Sequence, residues 1–265
     1  MFEEIPNIDS IFILQPLVVI VFSATIIIYW HFKRNLGLTV FIFALLAYAF
    51  AIALKVIVQE LTGPTFISYF GFQSVATGIY YGLQTSVLEV GLAYAIAVFA
   101  VARGRLHVKD AQGYGLSLAF WENAIVISLL PIINTVAIYV ILALNTPFAP
   151  TLYHQLQLSQ PVLFLPASQA LPLVGWGILE RVSSLLIHLS WGYLCVVAAV
   201  SRRKRFVLIA LPMGFVDFLV PFASVLTIPV FEVLVFAISV IAVAVMIVST
   251  RSIMRTLRGN EDEYE

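Results

Sequence analysis

Glu180-Arg181-Val182-Ser183-Ser184-Leu185-Leu186-Ile187-His188 is the stretch from which the rest of the chain is read. It lies in a long apolar segment, Leu173–Val200, yet carries a carboxylate, a guanidinium and an imidazole. On a helix, residues four apart share a face, so Glu180, Ser184 and His188 form one polar stripe. Ionisable groups inside a membrane span are costly and point into a protein interior or a watery cavity. The other spans must therefore supply partners for this stripe.

The composition says the same of the whole chain. Of 265 residues, 62% are hydrophobic and only 11% charged, against about half and a quarter in soluble domains. The mean hydropathy is +1.03. These values describe a polytopic membrane protein whose first partner is the lipid bilayer. The formal net charge is zero, so no nucleic-acid partner is expected. The single Cys195 lies in an apolar run and excludes an internal disulfide or a cysteine metal cluster. The first residues are acidic (Glu3, Glu4, Asp9) where a cleavable signal would be basic, so the first apolar run is expected to be a permanent helix.

Seven runs have the length of about twenty residues needed to cross a bilayer. They are Ile11–Trp30, Gly37–Val58, Leu83–Ala102, Leu116–Leu144, Leu173–Val200, Phe206–Leu226 and Val230–Thr250. Thr62-Gly63-Pro64 marks a break after the second. The piece from Phe66 to Tyr81 then reads as a surface helix, a re-entrant turn or an early start of the third span. Lys and Arg fall in alternate connections: Lys33 and Arg34, then Arg103, Arg105 and Lys109, then Arg202, Arg203, Lys204 and Arg205, then Arg251, Arg255 and Arg258. The positive-inside rule puts these in the cytoplasm, with the N-terminus outside. The fold expected is all-α: seven spans in one membrane domain, residues 1–258, followed by an acidic solvated tail at 259–265. The plasma membrane of a prokaryote is its expected home. The proline-studded connection Asn145–Leu171 reads as a long outer loop with a surface His154.

Seven charged groups fall within or at the edges of the spans: Lys55, Glu89, Glu122, Glu180, Arg181, Asp217 and Glu232. Lys55 and Glu232 sit near the outer ends and read as snorkelling anchors. At about 1.5 Å of rise per residue, Glu89, His188 and Asp217 lie roughly 18–20 Å from the cytoplasmic boundary. Glu122 lies somewhat shallower, at roughly 13 Å, and Glu180 lies farther out. Four consecutive spans thus bring titratable groups to one band, which implies a shared polar core of Glu180, Arg181, Ser184 and Asp217 with Glu89, Glu122 and His188. Three readings of that core stand open: a metal site, structural glue in which Arg181 neutralises a carboxylate, or a transport path or cofactor pocket. A haem would need two axial ligands, with Met213 on the next helix facing His188.

Glu180-Arg181 followed by His188, then a helix ending in Asp217, resembles the YhfC family of intramembrane metalloproteases, relatives of the CAAX-processing and abortive-infection membrane proteases. The resemblance covers most of the chain. It implies a Glu-Glu pair with an Arg three residues beyond, where this chain has Glu89 with Val90 and Ala93. It implies a Gly-His-Gly-Gly-x-Glu, where Ser117-Leu118-Ala119-Phe120-Trp121-Glu122 keeps only the Glu. It implies a His four residues before Asp217, where Met213 stands. The family's histidine ligands have fallen from three to one, while zinc favours nitrogen donors. The expectation is a divergent, catalytically inactive member that binds other membrane proteins or subunits and holds no cofactor. The alternative is an active zinc-dependent protease with Glu89 activating water and Glu122 and His188 holding the metal. A third reading is the anchor subunit of a larger complex, with haem on His188. Other catalytic patterns are weaker: Ser184 neighbours His188 on one helix only, and Asp217 has no aspartate partner.

Overall fold

The computed structural model describes residues 10–34, 36–144 and 147–261. Among these no residue forms a strand. Seven stretches are long and apolar enough to span a bilayer: Ile11–Arg34, Leu38–Phe70, Val75–Ala102, Val108–Ala143, Ala167–Ser201, Arg205–Phe222 and Ile228–Arg251. The fold is all-α and the protein is an integral membrane protein.

Helices α1 (Leu14–Arg34) and α2 (Leu38–Phe70) form the first two spans. The third joins α3 (Val75–Gln84), a π-helical segment Thr85–Val90, and α4 (Gly91–Ala102). The fourth joins α5 (Ala111–Phe120), a second π-helical segment Trp121–Leu129, and α6 (Leu130–Ala143). A short α7 (Ala149–Ser159) leads to α8 (Ala167–Ser201). The sixth span is α9 (Arg205–Gly214) continued by a 3-10 segment, Phe215–Phe222, and α10 (Ile228–Glu261) is the seventh.

Helix α8 is the hub. The apolar window of this span is 72% buried, more than in any other span, and it touches α1, α4, α5, α9 and α10. Without a hydrophobic driving force in lipid, helices associate through close van der Waals fit, which small residues permit. Gly115 of α5 and Gly192 of α8 supply that fit. A Cβ on Gly192 would lie 2.6 Å from the Gly115 Cα, and one on Gly115 would lie 2.6 Å from the Leu189 carbonyl oxygen. Around this crossing Tyr114, Leu194, Cys195 and Phe206 are fully buried.

Several sequence expectations need correcting. Thr62-Gly63-Pro64 does not break α2, which runs on to Phe70 with Pro64 inside it. Prolines are tolerated inside membrane helices, and around this one Tyr80 Oη from α3 meets Thr62 Oγ1 at 2.7 Å, tying α2 to the next helix. Of the three readings for the piece after it, the early start of the third span is the one observed, at Val75. The connection 145–171 is not a bare loop, for it holds α7, a 3-10 turn Pro161–Phe164 and the first turn of α8; His154 is exposed. The sixth span ends in 3-10 geometry, with Pro221 inside it. The tail expected at 259–265 starts inside α10, and its last four residues lie outside the described ones.

Candidate functional site

A cavity of about 330 Å3 opens in the half of the bundle away from the Lys- and Arg-rich connections. Glu89, Glu122, Glu180, Arg181, Ser184, His188 and Asp217 all line it. The stripe on α8 thus meets acids from the third, fourth and sixth spans at one point. Each of these three acids sits in an irregular segment: Glu89 and Glu122 in the two π-helical stretches, Asp217 in the 3-10 stretch. A π turn inserts a residue and rotates everything after it by about 100°. That rotation lets one span aim an acid at the cavity and still keep its apolar face on its neighbours farther along.

Two ion-pair clusters share the cavity. In the first, the ammonium of Lys55 donates to Glu89 Oε1 at 2.6 Å, Thr85 Oγ1 at 2.7 Å and Asp217 Oδ2 at 2.9 Å. A lysine ammonium has three N–H donors, and all three are used. Thr85 Oγ1 in turn donates to Asp217 Oδ2. In the second cluster, Arg181 Nη1 donates to Glu122 Oε1 and to Asn123 Oδ1, each at 3.3 Å, while its Nη2 pairs with Glu180. Asn123 Nδ2 closes the loop on the Arg181 carbonyl at 3.0 Å. Ser184 Oγ donates to Glu122 Oε2 at 2.8 Å.

His188 stands between the clusters. Its Nδ1 lies 2.9 Å from the Ser184 carbonyl oxygen. A carbonyl only accepts, so the hydrogen-bond network assigns the proton to Nδ1. Nε2 then faces Glu122 Oε2 at 3.1 Å and Glu89 Oε2 at 3.7 Å. Both carboxylates are at ion-pair distance, but the buried Nε2 makes no aligned hydrogen bond to either. The ring is held by Trp191, whose centroid is 4.2 Å away, and by Tyr48, edge-on at 6.3 Å.

Sequence reasoning missed Lys55, Thr85 and Glu232. Lys55 is not an anchor at a helix end, because α2 continues for four more turns beyond it and its side chain is only 15% exposed. Glu232 is not an anchor either. It is buried, within electrostatic reach of Glu180 and Arg181, and its Oε2 has no partner. The signal available was their place in the sequence: Lys55 lies eighteen positions after Gly37, far inside a span once the false break at Pro64 is removed.

The donor set can be tested against the metal readings. Ligands about 2.0–2.1 Å from a tetrahedral zinc lie roughly 3.4 Å apart, and the spacings from His188 Nε2 to the two carboxylates are near that value. The chemistry fits less well. By the chemistry of its donors alone, with one imidazole and two carboxylates held by Lys55 and Arg181, the set fits a catalytic zinc poorly. The haem reading required Met213 to face His188, but Met213 is buried in the apolar core and is not part of the cavity wall.

No curated protein and no solved structure gives a match to the chain. A family model described as the YhfC intramembrane metalloprotease matches residues 17–240, most of the length and all of the elements that build the cavity except the end of α10. The chain belongs to the YhfC intramembrane metalloprotease family.

Proposed function

We propose that this protein is a catalytically inactive member of its family that acts by binding other membrane proteins. One observation carries the reading. Val90, Ala93, Leu118 and Met213, which stand where the family resemblance calls for polar side chains, are all built into the apolar core, with exposures of 0%, 1%, 2% and 8%. Restoring histidine at Leu118 would not restore a ligand, because Leu118 packs beneath Gly192 rather than into the cavity. What remains is a pocket with a polar floor and an apolar mouth, where Val56, Ile127 and Val220 are exposed on three different spans. Such a mouth suits a segment of another membrane protein. The Lys and Arg bias supports a mouth that opens away from the cytoplasm, and the membrane we propose is the plasma membrane of a prokaryote.

Metal analysis of protein purified in mild detergent tests this. Well under one zinc per chain is expected, and stoichiometric zinc lost on His188→Ala would overturn the inactive reading. Co-purification of other membrane proteins tests the binding arm, and a clean monomer through gentle extraction would count against it. The second reading, an active metal-dependent protease, is favoured by a single feature, the buried His188 Nε2 that faces Glu89 and Glu122 without a hydrogen bond.

A further inference from the structure

We propose that the groove between the end of α1 and the start of α2 holds one acyl chain of an anionic phospholipid, with Lys33 and Arg34 at its headgroup. The site lies apart from the polar cavity and does not depend on how that cavity is read. The groove has a volume of about 360 Å3 and almost wholly apolar walls. Ile27, Ile28 and Phe32 of α1 line it together with Leu36, Leu38 and Phe41. His31 is the one titratable side chain on its wall, and its Nδ1 donates to the Leu36 carbonyl at 2.9 Å. That bond latches the connection back onto α1, so the groove is a formed feature and not a gap between loose ends.

Size and charge name the occupant. An α-helix with its side chains is about 10–12 Å across, too thick for a slot of this volume between adjoining helices, whereas a single hydrocarbon chain is not. Ile28, Phe32 and Leu38 are 55%, 79% and 72% exposed, so the slot opens sideways, where acyl chains lie. Arg34 follows Ile27 and His31 along one stripe of α1, and Lys33 is beside it; both are exposed. Neither α1 nor the first turn of α2 carries an acid to pair with them. Basic side chains at the edge of a span attract anionic headgroups, so the apolar slot and the two cations match the two ends of one lipid.

Gly37 offers a clean way to fill the slot. A Cβ added there would meet nothing within 4 Å, and its φ of -76° suits any residue. The test is native mass spectrometry of the full chain released from nanodiscs of equal parts phosphatidylglycerol and phosphatidylcholine. Wild type is expected to keep one phosphatidylglycerol, preferred over phosphatidylcholine on the order of tenfold. Gly37→Leu should lower that retention severalfold. Lys33→Gln combined with Arg34→Gln should keep a lipid but lose the preference between headgroups. Equal retention of the two lipids by wild type overturns the proposal, as does an unchanged preference in the double variant. Retention by Gly37→Leu at the wild-type level also overturns it, leaving only adsorption at the basic end of α1. Should Gly37→Leu not fold, Ile28→Trp fills the same slot from α1 and is judged by the same outcomes.

Discussion

The two halves of this bundle are built on different principles. In the half beside the basic connections, regular helices meet through small residues: Ala97, Ala100, Ala198 and Ala210 are fully buried around Tyr114 and Phe206. In the other half the helices separate. There α6 buries only Ile138, and the space between the spans holds paired charges instead of methyl groups. The irregular segments Thr85–Val90, Trp121–Leu129 and Phe215–Phe222 lie at the border between the halves. The contrast teaches that order in the closed half comes from shape, while order in the open half comes from charge compensation across helices.

The largest effect should come from breaking that compensation. Arg181 is buried and serves Glu122, Glu180 and Asn123 at once. Arg181→Met should cost about 3 kcal/mol, the low end for breaking a buried pair, since it leaves the partly buried Glu122 and the more exposed Glu180 without their cation. Thermal unfolding in detergent measures it, and a melting curve like the wild type's would remove charge compensation as the organising force. Adding Glu122→Gln to that variant should recover part of the loss, as one of the stranded charges is gone.

The closed half should break through volume instead. Gly192→Ala puts a Cβ against the Gly115 Cα and within 2.9 Å of Leu118 Cδ1. Backbone cannot move aside as a flexible side chain can, so α5 and α8 must separate, at a cost of about 1–3 kcal/mol. The same change at Gly175, where a Cβ would meet nothing within 4 Å, should be within about 0.5 kcal/mol of neutral. Equal melting of the two alanine variants would mean the crossing is looser than its geometry.

The all-α class and the number of spans were legible in the sequence because lipid imposes long apolar runs, and length alone counts them; the Gly115–Gly192 crossing was not, since nothing in the runs says which glycines meet. The site was legible in part. Acids in a membrane segment must find partners, so Glu89, Glu122, Asp217 and the stripe on α8 could be assigned to one band from the sequence. Their pairing could not. It depends on the two π turns, which shift the helical phase by about a residue and leave no signature that a regular period would show. Lys55 was hidden for a different reason. Thr62-Gly63-Pro64 has the composition of a turn, and ending α2 there moved the lysine to the edge of the membrane, where a long amphipathic side chain looks ordinary.

The smallest effect expected is also the one that tests where the open half meets its surroundings. On α6, Ile133 is 56% exposed and Ile138 only 9%. Ile138 packs with Leu156 of α7, together with Tyr139, Leu142 and Leu152. Ile138→Ala should therefore cost about 2 kcal/mol or more by leaving a void, and it should loosen α7 selectively. Ile133 faces outward, where lipid or detergent refills the space of a lost side chain, so Ile133→Ala should stay within about 0.5 kcal/mol of wild type. If Ile133→Ala instead destabilises as much as Ile138→Ala, α6 is covered by protein when purified. The openness of that half would then belong to the isolated chain and be filled in the assembly.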